Sequence, residues 1–150
     1  MQRMVIWPLP MTRRGYTLDD CLTNYLADAD MSDRECFRCG NREAVMKRTV
    51  VSWPRVFVIC LQRFSNGAKD EAPICFSEIW QPREKDVEPD REYILQAVVT
   101  HLGQTIECGH YVCQCRGSDG VIRSFNDDRV TSKLWDEYAA EAYLLFFVEQ

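Results

Sequence analysis

Five runs of β-branched and aromatic residues follow one another from residue 55 to the end of the chain, and they constrain its fold more than any other feature. They are RVFVICLQRF, EYILQAVVTHLG, GHYVCQCR, VIRSFND and AYLLFFVEQ, with turn signals at Gly103 and in GSDG. Short runs of this composition, bounded by turn residues, are typical of β-strands. Because short turns join antiparallel neighbours, the sequence predicts a mostly antiparallel sheet.

One segment near the start predicts a helix. It is YTLDDCLTNYLADAD at 16–30, where Thr17 is expected to be the N-cap with Asp20 three residues on. The apolar residues that recur at the spacing of one helical face are Leu18, Cys21, Leu22, Tyr25 and Leu26. A second, short helix is expected within 127–141. One or two helices packed on a mostly antiparallel sheet place the chain in the α+β class.

Three further strands are expected in the first half of the chain. They are RMVIWPL at 3–9, ended by Pro8 and Pro10, then AVMKRTVVSW at 44–53 and ICFSEIW at 74–80. The charged, proline-containing segment QPREKDVEPDRE that follows is predicted to be a surface loop.

Composition narrows the class of protein. At 150 residues with 46% hydrophobic residues, the chain predicts one domain, or part of one, with its own core. A net charge of −5 gives no basic footprint for nucleic acid, and the longest apolar runs are too short to span a membrane. No signal peptide is recognisable at the start, so the eight cysteines are expected to be reduced thiols of an intracellular protein, in the cytoplasm or nucleus.

The chain has only two histidines, and both lie within ten residues of each other. His101 is in VVTHLG, and His110 is in ECGHYVCQC, a strand-like run with three cysteines. Considered alone, each histidine is most simply explained as a satisfied polar residue. Their clustering beside cysteines nevertheless raises the possibility of thiol chemistry.

The order of the motifs is more specific than any one of them. YTLDDCLTNYL, CFRC, AVMK, WPRVFVICLQRF, YILQAVVTHLG, GHYV, SFNDDRV and AYLLFF follow one another from about residue 7 to residue 147. This series resembles the ubiquitin-specific protease family of cysteine deubiquitinases. The resemblance implies a partial papain-like fold, with the palm sheet and part of the fingers.

The resemblance implies a catalytic role for three residues. GHY would carry the general base, His110, and FND would supply the residue that orients it, Asn126, with Asp127 as the second choice. An imidazole can take the proton of a thiol and deliver it to a leaving amine. It must itself be held in one tautomer by an acceptor on its other nitrogen. An asparagine amide oxygen can do this without adding charge.

The resemblance also implies four residues that bind the extended, glycine-ended tail of ubiquitin. They are Gly109, Tyr111, His101 and Phe64. A small residue lets two backbones approach closely, and aromatic walls favour a tail without side chains. Two alternatives remain open. Phe64 could equally be a core residue, and His101 could be a buried histidine bonded to backbone.

The family's nucleophilic cysteine lies in an amino-terminal box that nothing in residues 1–16 resembles, and the oxyanion-hole asparagine is expected to be missing with it. The chain therefore resembles the carboxy-terminal half of the domain, from 1 to 150.

The resident cysteines are placed by strand alternation. It predicts that the side chains of Cys113 and Cys115 lie on the face of the strand opposite His110, whereas Cys108 would share the face of His110. Cys60 is expected to be a buried thiol.

The pair Cys36 and Cys39 has the CxxC spacing of a zinc knuckle. Structural zinc requires four ligands, and in the family a second CxxC lies upstream. The interpretation is that two thiols alone hold no metal, and that a structural zinc forms only if the other CxxC is supplied. Catalysis by this family requires no cofactor.

Two function classes follow. The chain is either the carboxy-terminal part of a deubiquitinase, which acts with the nucleophile supplied from elsewhere, or an inactive module that binds ubiquitin or serves as a scaffold. A zinc or redox protein is a weaker third hypothesis. The expected partners are ubiquitin or ubiquitinated proteins, and the missing half or a second copy. The missing half would pack on one face of this chain, so that face is expected to expose an apolar surface, near His110, Phe64 and the strand around Trp7.

Overall fold

The computed structural model describes residues 4–11, 17–83, 91–135 and 141–150. Its one helix in this part of the chain, α1, spans Leu18–Leu26. The strands are β1 Ile6–Pro10, β2 Ala29–Asp30, β3 Val45–Met46, β4 Val56–Gln62, β5 Phe64–Ser65, β6 Ala68–Lys69, β7 Ile79–Trp80, β8 Tyr93–Leu102, β9 His110–Arg116, β10 Ile122–Asn126, β11 Arg129–Ser132 and β12 Ala142–Glu149.

Eight of these strands form one sheet. Its order is β1-β4-β12-β8-β9-β10-β11, and β7 pairs with β8 outside this path. Every pair is antiparallel except β1 with β4. The remaining short strands form two hairpin-like pairs, β2 with β3 and β5 with β6. The α+β class with a mostly antiparallel sheet is thus confirmed.

The core lies on one face of the sheet, and β4 shows how the sequence specifies it. Phe57, Ile59 and Leu61 are fully buried, whereas Val56 at the start of the strand is 53% exposed. This alternation is what a period of two residues dictates for a strand with one covered face. The helix α1 packs beside β1 and buries Leu18 with its apolar neighbours.

Thr17 caps the helix as the sequence predicts. Its Oγ1 accepts a hydrogen bond from the Asp20 backbone N–H at 3.2 Å and donates one to the Asp20 carboxylate at 2.6 Å. The helix ends at Leu26, earlier than the predicted segment, because the chain turns to place Ala29–Asp30 in β2. Tyr16, the first residue of the predicted segment, lies outside the described residues.

Two of the strand predictions were wrong. The prolines Pro8 and Pro10 lie inside β1 and do not end it, because β1 is an edge strand that pairs on one side only, with β4. Only Val45–Met46 of the predicted strand at 44–53 is extended in a ladder. In the predicted second helix, Arg129–Ser132 is strand β11, and residues 136–140 lie outside the described part. Of the loop predicted at 81–92, residues 84–90 also lie outside it.

No helix in the described ranges is long and apolar enough to cross a membrane.

A buried guanidinium ties the end of β4 to the start of β12. Arg63 is 1% exposed, and its Nε donates to the carbonyl of Ala142 at 2.5 Å. Its Nη1 donates to the carbonyls of Asp70 and Ala72 at 2.9 and 2.7 Å. Burial lowers the pKa of Arg63, and the nearby charge of Asp70 opposes that shift. Arg63 therefore satisfies buried carbonyls at the point where β4, β12 and the loop after β6 converge.

We expect Arg63→Met to destabilise the chain strongly. The substitution keeps an unbranched side chain but removes the donor of the buried Ala142 carbonyl and of the partly buried carbonyls of Asp70 and Ala72. An unsatisfied buried group costs about 1–3 kcal/mol. The free energy of unfolding, measured by urea denaturation, should fall by about 3 kcal/mol or more. Gln62→Met, at the exposed neighbouring position, is the matched control. Equal stabilities of the two variants would contradict this account.

Candidate functional site

His110 and Asn126 meet at one end of the sheet. His110 begins β9 and Asn126 ends β10, and the hairpin between the two strands turns through residues 117–121. The His110 Nε2 atom lies 2.6 Å from the Asn126 Oδ1 atom. This distance is that of a hydrogen bond. With Oδ1 as the acceptor, Nε2 carries the proton, and the lone pair of Nδ1 is left to act as a base.

Asp127 follows as the first residue of a two-residue turn between β10 and β11. Its φ of 52° is in the left-handed region, which aspartate tolerates better than most residues. The carboxylate Oδ2 lies 3.9 Å from His110 Nε2, beyond hydrogen-bond distance, and the side chain is 78% exposed. Asp127 therefore adds a solvent-screened charge near the ring, and Asn126 makes the direct contact.

Four aromatic rings form a cluster beside this pair, which we call the aromatic cluster: Phe64, His101, Tyr111 and Tyr143. His101 and Tyr111 are opposite each other in the β8–β9 ladder, and their ring centroids are 4.8 Å apart. Phe64 lies 5.2 Å from His101 and 5.8 Å from Tyr143, edge to face. Tyr111 is 49% exposed. The fold thus brings together Phe64, His101 and Tyr111, which are 47 positions apart at the extremes.

His101 and Gly109 are in direct contact. A Cβ atom added to Gly109 would lie 2.1 Å from His101 Nε2, so only glycine fits over this ring. His101 itself is 1% exposed. Its ring cannot contact another chain while Gly109 and Tyr111 remain in place. A contact of the His101 ring with a ubiquitin tail stays a prediction, and the ring is buried beneath these two neighbours.

An open groove of about 460 Å³ runs along the aromatic cluster. Its lining residues are Pro8, Pro10, Met11, Cys60, Leu61, Gln62, Arg63, Phe64, Ser65, Ile106 and Tyr143. The groove lies at Phe64, one of the places where an uncovered apolar surface is expected. In the strand around Trp7, Trp7 itself is 7% exposed and packs against Trp53 and Phe57 in the core. Its neighbours Val5 and Ile6 are the exposed residues of this segment.

No cysteine among the described residues forms a hydrogen bond with His110 through its Sγ. Cys108 is exposed, whereas Cys60 and Cys113 are half-buried. Burial raises the pKa of the Cys60 and Cys113 thiols, and Cys115 raises that of Cys113 further. Both thiols are thereby kept protonated, the form that is a poor nucleophile.

Cys36 and Cys39 lie in a tight knuckle. The Gly40 N–H donates to the Cys36 carbonyl at 2.8 Å, and Gly40 has a φ of 68°. Backbone N–H groups of Arg38 and Cys39 lower the pKa of the Cys36 thiol, which favours the thiolate that a metal requires. The described residues contain no group of three or more metal-ligand side chains. The knuckle thus fits half of a tetrahedral zinc site.

Two members of this region were not predicted from the sequence. Tyr143 completes the aromatic cluster from β12, and Lys69 donates from Nζ to the His101 carbonyl at 2.6 Å. The only sequence signal for Tyr143 is a hydroxyl-bearing aromatic at the start of an otherwise aliphatic and phenylalanine-rich strand. Lys69 lies in a loop-like segment whose composition carries no such signal.

Comparison with known proteins places this geometry in a family context. A profile described as ubiquitin carboxyl-terminal hydrolase matches residues 16–147. The chain is 30% identical over 155 residues to "Ubiquitin carboxyl-terminal hydrolase 2" of Homo sapiens, covering 93% of this chain and 26% of the relative. It is 31% identical over 151 residues to "Ubiquitin carboxyl-terminal hydrolase 8" of Saccharomyces cerevisiae, covering 87% and 32%. The chain spans about a quarter to a third of the length of these curated relatives.

Solved structures show the same architecture. The chain matches a structure of the SAGA DUB module with Ubp8, Sgf11, Sus1 and Sgf73 bound to monoubiquitin, with a TM-score of 0.78 and 25% identity. A yeast SAGA DUB module matches with a TM-score of 0.81 and 26% identity. Each match covers 98% of this chain and 35% of the other. The partial papain-like fold predicted from the sequence is consistent with these matches.

We expect Asn126→Ala to release the His110 ring from its single tautomer. Without the amide oxygen, nothing in the described structure within hydrogen-bond distance fixes the proton on Nε2. Long-range ¹H–¹⁵N spectra at alkaline pH should change from a protonated Nε2 and a bare Nδ1 to a mixture of both forms. Asp127→Asn, which alters the neighbouring side chain, should leave the wild-type pattern. The same pattern in wild type and Asn126→Ala would argue against the hydrogen bond.

Proposed function

This chain belongs to the ubiquitin carboxyl-terminal hydrolase family, and on that premise we propose that it is the carboxy-terminal part of a thiol-dependent deubiquitinase. In this proposal His110 is the general base, Asn126 orients it, and the nucleophilic cysteine comes from protein outside residues 1–150. The observation that carries the proposal is the 2.6 Å contact between His110 Nε2 and Asn126 Oδ1 at one end of the palm sheet.

The proposed chemistry uses the free nitrogen of His110. With Nε2–H donated to Asn126, Nδ1 can accept the proton of a cysteine thiol that approaches from outside this chain. The thiolate then attacks the carbonyl carbon of the bond after the ubiquitin tail. The imidazolium returns its proton to the departing amine, and water hydrolyses the resulting thioester. Asn126 stabilises the imidazolium orientation throughout without carrying charge of its own.

Substrate binding is proposed to involve the aromatic cluster and Gly109. Tyr111 presents about half of its surface, and Phe64 and Tyr143 line the open groove. Gly109 adds no side chain at the position that precedes His110. An extended tail that ends in glycine could pass here, since it needs little room and offers its backbone for hydrogen bonding. Ubiquitin or a ubiquitinated protein is thus the proposed partner.

An inactive ubiquitin-binding or scaffold module is the second candidate function. It is favoured by one observation, namely that no cysteine of the described chain is bonded to His110. The zinc knuckle is proposed to be completed only by ligands from outside this chain, in either case. The two functions differ in whether a separate polypeptide can restore hydrolysis, which a scaffold would not support.

Purified chain 1–150 should form no covalent adduct with a ubiquitin vinyl sulfone probe. The probe requires an activated thiol next to His110, and the half-buried thiols of Cys60 and Cys113 are kept protonated. Mass spectrometry after overnight incubation measures the result, with a complete ubiquitin-specific protease as the positive control. An adduct would show that a resident cysteine is the nucleophile, and Cys108→Ser would then test the exposed thiol nearest in sequence to His110.

Ubiquitin should bind the chain through its tail. We expect Tyr111→Ala to weaken binding about tenfold, the size of a loss of about 1.4 kcal/mol at an aromatic contact. Ile79→Ala is the matched control, because Ile79 is 52% exposed but pairs with the opposite end of β8. Chemical-shift titration measures both constants, and ubiquitin truncated before its glycine end should not bind. The proposed site would be contradicted if neither Tyr111→Ala nor truncation of the ubiquitin tail weakened binding.

A further inference from the structure

His101 is a buried polar residue that its surroundings do not satisfy. Its side chain is 1% exposed, and neither Nδ1 nor Nε2 has a hydrogen-bond partner among the described residues. The ring is enclosed by apolar surfaces instead, with Phe64 at 5.2 Å and Tyr111 at 4.8 Å between centroids. A buried polar group without a partner costs free energy, so the position requires an explanation.

The ring supports the loop that leads to His110. This loop runs from 103 to 109 and connects β8 to β9, and a glycine at each of its ends lies against the imidazole. Added Cβ atoms would lie 2.1 Å from His101 Nε2 at Gly109 and 3.1 Å from Cε1 at Gly103. The backbone of Gly109 therefore rests directly on the ring, one residue before His110.

The backbone of His101 is itself anchored from two sides. Its N–H donates to the carbonyl of Glu141 at 2.8 Å, and its carbonyl accepts from Lys69 Nζ at 2.6 Å. These contacts fix the base of the imidazole to the start of β12 and to β6. The imidazole therefore extends from a backbone that is hydrogen-bonded on two sides and lies against Gly109.

We propose that His101 is a positioning residue that holds His110 in register with Asn126, and that it does so only as the neutral imidazole. Protonation of His101 would release the loop at 103–109 and separate His110 from Asn126. The consequence for catalysis rests on the proposed function, but the effect on the geometry of His110 does not.

The environment of His101 makes its charged form unfavourable. A protonated imidazole needs an acceptor at each nitrogen, and the described structure offers neither. The charged and titratable side chains on the surrounding elements are Lys69 on β6, Glu141 before β12, Tyr143 on β12, Glu107 and Cys108 in the loop, and His110 and Tyr111 on β9. Burial lowers the pKa of His101, and the Lys69 ammonium lowers it further.

The direction of the pH dependence follows from this lowered pKa. An unfolded histidine takes up a proton near pH 6.5, whereas folded His101 takes it up at a lower pH. Above pH 6.5 His101 is neutral in both the folded and the unfolded state, so its protonation does not change the free energy of unfolding. As the pH falls below 6.5 the unfolded state binds the proton first, so stability falls until the folded state also becomes protonated.

Because the chain has only two histidines, imidazole NMR can follow both residues separately. In wild type, the amide signals of 103–110 should shift together with the titration of His101, at a pH below that of an ordinary histidine. His101→Phe retains an aromatic ring but cannot be protonated. It should keep the His110 tautomer pattern at pH 7.5 and abolish the acid transition of the loop.

His101→Ala should remove the support at every pH and lose the Nε2-protonated pattern of His110 even at pH 7.5. Rescue by His101→Phe distinguishes positioning from a general loss of folding. Any of three results overturns the proposal. The first is that His101→Ala retains the Nε2-protonated pattern of His110. The others are that the amide signals of 103–110 do not change as His101 titrates, or that the acid transition of the loop persists in His101→Phe.

A double-mutant cycle tests the contact itself. Gly109→Ala should lower the denaturation midpoint of wild type more than that of the His101→Ala variant, in which the added Cβ loses its contact with the ring and retains only the 2.9 Å contact with the Leu102 carbonyl. Gly117→Ala is the control, since a Cβ there meets only the flexible ends of Arg123 and Asp119 within 3 Å. Additive effects of Gly109→Ala and His101→Ala would overturn the contact. None of these measurements uses ubiquitin or a nucleophile, so their failure is separate from failure of the proposed function.

Discussion

The structure at the site end of the sheet depends on the buried guanidinium of Arg63. It joins the end of β4 to the carbonyl of Ala142 and to the loop at Asp70 and Ala72. The residues on either side of Ala142 extend this link, because the Glu141 carbonyl receives the His101 N–H and the Tyr143 ring packs against Phe64. Backbone carbonyls are fixed acceptors, so one buried cation holds three separate segments in one arrangement.

This arrangement separates a rigid support from a solvent-accessible reactive pair. His101 and Phe64 are held by packing and backbone bonds, whereas His110 and Asn126 stand at strand ends where solvent and a substrate can reach them. A base must be accessible to exchange protons, but its orientation must be set by groups that do not move. The glycines of the loop between β8 and β9 lie close against the His101 ring, and Gly109 directly precedes His110.

Much of the fold and of the site could be predicted because the relevant signals are local. The Thr17 cap, the alternation along β4 and the hairpin between β9 and β10 depend on residues a few positions apart. The juxtaposition of His110 and Asn126 follows from that hairpin. In contrast, β11 and the passage of β1 through two prolines depend on which strand lies beside them. The strand propensity of single residues cannot predict which strands pair with each other.

The sequence by itself determined the α+β class and the hairpin that carries His110, since periodicity and short turns act within a few residues. The choice of Asn126 as the partner of His110 was implied by the resemblance of the motifs. Only the tertiary structure decided that His101 is buried beneath Gly109, that Tyr143 completes the aromatic cluster and that Lys69 reaches the His101 carbonyl. The contacts of Tyr143 and Lys69 join strands far apart in the chain, and the contact of Gly109 depends on how the loop between β8 and β9 lies over His101. Burial and partner choice at such positions follow from how the strands pack, which no local pattern encodes.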